Sequence, residues 1–384
     1  MTGQIIKHVA KDKTVTYRIR VFLGRDASGT RHYHRETVKG TKAQAEERLT
    51  EILNKVNRGS YVKPCKYTVD EFLDRWLEHV KPTLRQNTYI SYESYLKWYV
   101  RPDLKLLKLS KIKLIDIDNL YVKLQARVSA RTIRYVHSIL SSAMKQAIIW
   151  QLIESNPCDN ATLPRKIKKE MQALSADQMI AFLQHAQKDC YALIFDIALA
   201  TGMRPSEYLA LQWKDIDFQD GSIQVRRTVS WDNIKDPQQT APAWQFEETK
   251  SDNGRRSIPL PKTLLRKLQL HKTQQAAYRL KKGQKYANHD LLFATRSGNP
   301  ISEYNIRRNF KLILDKAGLP KTIRLYDLRH TCATILLAKG VNPKIVSERL
   351  GHSSIVLTLD TYSHVLPTMQ KAAAEELEKV LFGN

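Results

Sequence analysis

The sequence predicts a multidomain α+β protein: a small β-sheet plus helix at the N-terminus, a helical second segment, and a mainly α third segment carrying a small antiparallel sheet. Three observations carry this. Strand-type alternation opens the chain, helical apolar periodicity with cap signals fills residues 68–150, and from Ser175 onward the two periods mix. The length of 384 residues suits two or three domains, and an apolar fraction of 42% is enough for real cores. Charge adds a class of partner: 63 Lys plus Arg against 38 Asp plus Glu leave a formal +25 and a pI near 9.8, which favours a polyanion such as nucleic acid.

In the first segment, residues 1–62, Val15, Tyr17, Ile19 and Val21 fall on one face of a strand and Arg18 and Arg20 on the other. A turn over 24–29 leads to the basic strand Arg31-His32-Tyr33-His34-Arg35. Thr41 and Gln44 have capping-box spacing and open a helix running to about Asn57. A sheet face rich in arginine and aromatic side chains suits a DNA groove, so Arg18, Arg20, Arg31 and Arg35 are candidate DNA contacts. The plainer reading is a solvated sheet whose arginines discourage edge pairing.

In the second segment, residues 63–160, Thr68 and Glu71 form another capping-box match, and Phe72, Trp76 and Leu77 make one apolar stripe before Pro82. Further helices are expected over 87–99, ended by Pro102, over 115–124, and over 130–150, closed by Asn156-Pro157. Tyr89, Tyr92, Tyr95 and Tyr99 recur at helical spacing, which points to packing rather than base stacking. Residues 161–174 lose the apolar period and contain Pro164-Arg165-Lys166-Ile167-Lys168-Lys169, the composition of a basic linker.

The third segment, residues 175–384, begins with the cap Ser175-Ala176-Asp177-Gln178 and an apolar helix ending at Gly202. Short strands are expected around Ile216, over 223–229 and over 255–260, with an Asp252-Asn253-Gly254 turn beside Lys250 as a hairpin signal. Helices then dominate from Pro261, including one capped by Asn342-Pro343 and ended by Gly351. Cys65, Cys158, Cys190 and Cys332 are too widely spaced for a zinc or redox motif, and Cys332 reads as a packed helix residue. The N-terminus lacks a signal-type apolar run and no apolar stretch is long enough to span a membrane, so a soluble cytoplasmic protein is expected.

Against that background four short boxes stand out: Thr201-Gly202-Met203-Arg204-Pro205-Ser206-Glu207, Leu325-Tyr326-Asp327-Leu328-Arg329-His330, Leu350-Gly351-His352 and Asp360-Thr361-Tyr362-Ser363-His364. Two arginines offer planar forks of donors that fit phosphate oxygens, a histidine can donate another hydrogen bond, and a phenol can be a nucleophile. Taken singly, each arginine is an ordinary surface ion pair and each of the 17 tyrosines an ordinary packed ring. The order of the boxes resembles the catalytic domain of the tyrosine recombinases, the phage-integrase family, and the first two segments resemble that family's arm-site and core-site DNA-binding domains.

The resemblance implies a site-specific DNA recombinase that cleaves and rejoins DNA through a 3′-phosphotyrosyl bond, integrating or excising a mobile element, with no metal and no ATP. Arg204 and Arg329 would grip the scissile phosphate, Glu207 would orient Arg204, His352 would hydrogen-bond a phosphate oxygen, and Tyr362 would attack. Lys250 matches the family's β-hairpin lysine, which protonates the leaving 5′ oxygen; Lys235, Arg255 and Arg256 lie nearby and could take the same role. Where the family most often has a histidine, this chain has Tyr326, a poor base at neutral pH, so Tyr326 takes a binding role and the base is open. The implied partners are double-stranded attachment sites of core and arm type, a homotetramer on DNA, and an accessory DNA-bending or excisionase protein. A bacterial cytoplasm or nucleoid is the implied location, and the residues beyond Tyr362, from Lys371 to Leu381, would form a tail helix docking on a neighbouring protomer or on their own domain. A topoisomerase-like relaxing enzyme and a DNA-binding regulator with an idle site are the competing readings.

Overall fold

Alternation in the first segment becomes a three-stranded antiparallel sheet in the order β1 (Gly3–Val9), β2 (Val15–Arg25), β3 (Arg31–Lys39). This is a computed structural model; it describes residues 3–9, 15–25, 28–57, 61, 65–166, 171–231, 244–249, 254–362, 374–375 and 377–383. The chain divides into two units, Met1–Lys168 and Lys169–Asn384.

In the first unit, Ile19 and Val21 of β2 pack on Ile52 of helix α1 (Lys42–Asn57). That burial fixes the register, since a one-residue slip would turn the arginine face inward. The Thr41 hydroxyl accepts from the Gln44 N–H at 3.3 Å, and the Gln44 side chain accepts from the Thr41 N–H at 2.9 Å, closing the expected box. On the opposite face Arg20 lies directly across from Arg35, with Arg18 one pair further along opposite Thr37, and Arg31 faces Arg25. The Arg20 guanidinium covers the Tyr33 ring at 3.9 Å. Like charges directly opposite are unfavourable in an isolated sheet.

The helical part of this unit comprises α2 (Val69–Val80), α3 (Gln86–Tyr95), α4 (Leu114–Gln125) and α5 (Ala130–Ile149). Phe72, Leu73, Trp76 and Leu77 are buried against Leu120, Val136, Leu140 and Met144. Pro102 does not end the helix before it, contrary to expectation. Instead α3 runs through a widened π-helical turn, Leu96–Val100, into one more turn, Arg101–Leu104, whose first positions hold Pro102. A first-turn proline is tolerated because its missing N–H would be unpaired there in any case. The tyrosine series packs as expected: Tyr92 stacks on Trp76 at 5.8 Å, and Tyr95 meets Tyr135 edge-on at 4.8 Å.

In the second unit α6 (Ala176–Ala186) and α7 (Ala192–Thr201) lead into two small antiparallel sheets, β4 (Ile216–Asp217), β5 (Ser222–Val225) and β8 (Arg256–Pro259) in one, β6 (Arg227–Trp231) and β7 (Trp244–Glu248) in the other. The strand expected over 223–229 therefore splits at Arg226, where the chain changes partners, and β7 was not expected. Its five residues follow Pro237 and Pro242, and so short an alternation carries little signal. Helices α8 (Lys262–Lys282), α9 (Glu303–Lys316), α10 (Asp327–Ala338), α11 (Pro343–Leu350) and α12 (Ile355–Thr361) complete the unit. Phe182, Phe195 and Phe310 bring α6, α7 and α9 together with ring centroids 5.3 to 6.0 Å apart. Residues 374–375 and 377–382 are helical, with Leu377, Val380, Leu381 and Phe382 exposed. No described helix is long and apolar enough to cross a membrane.

Candidate active site

The first box is a device for turning the chain at the end of α7. Gly202 caps that helix in the left-handed conformation, φ +66°, and a Cβ there would stand 2.6 Å from a Leu350 methyl carbon. The chain then reverses into a single helical turn, Pro205–Tyr208, with Arg204 as its N-cap residue. Buried Glu207 accepts from the Arg204 backbone N–H at 2.9 Å and from its guanidinium at 2.6 Å. Arg204 also reaches the Gly351 carbonyl at 3.4 Å, tying the first box to the histidine turn. Gly202→Ala is expected to cost about 1–2 kcal/mol from the left-handed backbone alone, more with the Leu350 clash, and so to lower the melting temperature by several degrees. An unchanged melt would refute this account of the turn.

Arg329 sits in the first turn of α10 and is 2% exposed. Its Nη1 donates to the Gly202 carbonyl at 2.8 Å, while its buried Nη2 has no hydrogen-bond partner among the described residues. Burial, with Arg204 and Arg256 nearby, pushes its pKa down to about 10, although Tyr326 and Glu207 pull the other way. Arg204 moves oppositely: burial disfavours its charge, but Glu207 and Tyr326 outweigh it and raise the pKa. Three guanidiniums thus share one carboxylate, and one of them has a buried N–H group with no hydrogen-bond partner among the described residues. Such an excess of donors over carboxylates has the chemistry to hold an oxyanion.

Two neutral imidazoles stand beside the arginines. Gly351 ends α11 with φ +68°, presenting His352, whose Nδ1 pairs with the hydroxyl of fully buried Thr358 at 2.7 Å. Burial first, then Arg329 and Arg204, pushes the His352 pKa down to about 4. His330 is held at about 4 as well, by burial against a smaller opposing pull from Asp327. Tyr362 caps the end of α12 and is 1% exposed, its ring packed with Ala333, Leu337, Val346 and Leu350. Its hydroxyl lies 2.9 Å from His330 Nδ1. Burial raises the phenol's pKa, only partly offset by Arg329. Tyr326, 39% exposed, meets the His330 ring edge-on at 5.3 Å.

The structure therefore brings Arg204, Glu207, Tyr326, Arg329, His352 and Tyr362 into one cluster. Lys250 lies outside the described residues, as does Lys235. The strands on either side of 250–253, β7 and β8, belong to different sheets and are not the two arms of the expected hairpin. Of the two arginines after Gly254, Arg255 pairs with Glu248 at 2.9 Å, and Arg256 is committed to Glu207 at 2.8 Å and to the Arg349 carbonyl at 2.7 Å. Sequence reasoning left Arg256 without this role: the contact joins residues 49 apart in sequence, and only its place on β8 supplies it. His330 and Thr358 were likewise overlooked. The only signals available were the adjacency of His330 to Arg329 and the position of Thr358 one helical turn before Tyr362. Arg18, Arg20, Arg31 and Arg35 belong to the first unit and form the separate basic sheet face.

A buried, carboxylate-poor arginine cluster with a phenol at its edge defines a protein that handles phosphodiesters through a tyrosine. The chain belongs to the phage integrase family: the model described as "Phage integrase family" matches residues 170–369, and "Phage integrase, N-terminal SAM-like domain" matches residues 68–125. It is 32% identical over 374 residues to a "Tyrosine recombinase XerC-like" protein of Caldanaerobacter subterraneus subsp. tengcongensis, covering 94% of this chain and 95% of that one. In fold it is similar to the Tn1549 transposon integrase in complex with a circular intermediate DNA, with a TM-score of 0.68, 24% identity, 81% of this chain and 100% of that chain covered. It is also similar to a lambda integrase tetramer bound to a Holliday junction, with a TM-score of 0.59, 19% identity, and 92% and 94% coverage. The chain is a tyrosine recombinase, an enzyme of site-specific DNA cleavage and strand exchange.

Proposed function

We propose that this recombinase integrates and excises a mobile genetic element, with Tyr362 as the nucleophile and the Arg204–Arg329 cluster as the phosphate clamp. One observation carries the reading: the buried, unpaired Nη2 of Arg329, with two further arginines near it and Tyr362 close enough for the Arg329 charge to act on its phenol. Arg204 and Arg329 bind the non-bridging oxygens of the scissile phosphate, and Glu207 fixes Arg204 and Arg256 against each other. His352, held at Nδ1 by Thr358, offers its Nε2–H to the same phosphate. The hydroxyl of the half-exposed Tyr326 adds a donor. Lys250 protonates the departing 5′ oxygen, leaving a 3′-phosphotyrosyl bond that keeps the energy for religation.

The division of labour along the chain is part of the proposal. Residues 1–62 bind arm-type sites through Arg18, Arg20, Arg31 and Arg35, residues 63–160 bind the core site, residues 161–174 link them, and residues 175–384 carry the chemistry. The tetramer on a Holliday junction in lambda integrase is the model for the working assembly, and the transposon and XerC-like relatives favour a bacterial cytoplasm with DNA as the partner. An accessory bending or excision factor completes the set. The test is a nicked duplex carrying the element's attachment site, incubated with the protein and run on a denaturing gel. A covalent protein–DNA band is expected; binding without any such band would favour a regulator instead.

A further inference from the structure

The arrangement around Tyr362 leaves one chemical need unmet by the residues given roles so far, because a phenol that attacks phosphorus must lose its proton. Only about one in a thousand free phenols is ionised at neutral pH, and burial makes this one harder still to ionise. Tyr326 is itself a phenol and a poor base, and the Nδ1 of His352 is engaged by Thr358. We infer that His330 is the general base for Tyr362, taking the phenolic proton on Nδ1 across the 2.9 Å contact as the phenolic oxygen bonds to phosphorus. This assignment rests on the reading of Tyr362 as nucleophile.

Position supports it independently of chemistry. His330 follows Arg329 directly in the first turn of α10, so a phosphate gripped by that arginine lies one residue from the base. Tyr362 arrives from the end of α12, and its ring stands 5.8 Å from the imidazole. The charged and titratable groups facing His330 are Arg324, Tyr326, Asp327 and Arg329 from its own segment, with Tyr362 and His352 from the chain beyond α11. Their balance keeps the ring neutral, and in the tautomer with its proton on Nε2 the Nδ1 lone pair accepts from the Tyr362 hydroxyl. The step balances. The O–H bond of Tyr362 breaks to Nδ1, the oxygen–phosphorus bond forms, the bond to the 5′ oxygen breaks, and that oxygen takes its own proton from the acid assigned to Lys250. On religation the imidazolium returns its proton to the leaving phenol.

The test is the single-turnover rate of covalent adduct formation on the nicked attachment-site duplex, measured from pH 6.5 to 9 for the wild type, His330→Ala and His330→Gln. Duplex binding by each variant serves as the check of folding. The wild-type rate should be nearly flat, because the base is already neutral. His330→Ala should be slower by about 10²-fold at pH 7, the size of a general-base contribution. Its rate should then climb toward tenfold per pH unit as hydroxide replaces the missing base, and added imidazole should restore part of it. A deficit equal at every pH and insensitive to imidazole would reduce His330 to a positioning residue and overturn the assignment. A variant faster than wild type would show that the contact merely parks the tyrosine. Absence of any adduct from the wild type would instead sink the nucleophile reading, and this assignment with it.

Discussion

Tyr362→Phe is expected to give no measurable covalent adduct on the nicked attachment site, a loss of at least about 10⁴-fold, while duplex binding survives. The substitution is well suited to the question because it deletes one oxygen and keeps the ring. Tyr362 packs with Ala333, Leu337, Val346 and Leu350, and phenylalanine fills the same space. The lost contact is the one to His330, so the expected stability change is about 1 kcal/mol, the usual net value of one hydrogen bond. A large activity loss on a folded, DNA-binding protein would therefore report chemistry. Persistence of the adduct would move the nucleophile, and Tyr326 would be the first residue to replace, since its phenol is exposed beside the same arginines.

What the sequence made legible was local. The caps at Thr68, Ser175 and Asn342 appear where the spacing of Ser, Thr or Asn with Glu, Gln or Pro put them, because a cap is decided within four residues. The turn glycines at 202 and 351 were equally readable, each closing a helix with a left-handed residue. The same locality makes the four boxes visible as motifs. What escaped depends on contacts between distant residues. The switch of partners at Arg226 is set by whether β8 or β7 lies alongside, which no alternation pattern encodes. Pro102 failed as a helix stop because the chain widened one turn ahead of it. In the site, Arg256 and His330 gain their roles from Glu207 and Tyr362, 49 and 32 residues away. The boxes supplied the proposed ligands of a phosphate, but the groups that neutralise and orient them are products of the fold.

Arg329→Met is expected to cut the cleavage rate by about 10²–10³-fold while leaving the melting temperature within a few degrees, and the contrast between the two is the informative part. A buried guanidinium that lacks a carboxylate of its own is a cost to the folded state. Its folded pKa of about 10 lies below the ordinary 12.5, so at every pH below about 10 the fold carries the full penalty of the charge. At about 1.4 kcal/mol per pKa unit, that penalty is on the order of 3 kcal/mol. Methionine removes it and retains much of the volume, but strips the Gly202 carbonyl of its donor, which costs about 1–3 kcal/mol. The two terms nearly cancel. A bound phosphate reverses the account for the wild type alone, because it supplies the counter-charge and an acceptor for Nη2. The attachment-site duplex should therefore raise the wild-type melting temperature more than that of Arg329→Met. If the variant melts far lower even without DNA, Arg329 is an anchor of the fold before it is a ligand of phosphate, and if cleavage stays within tenfold of wild type, the clamp lies elsewhere.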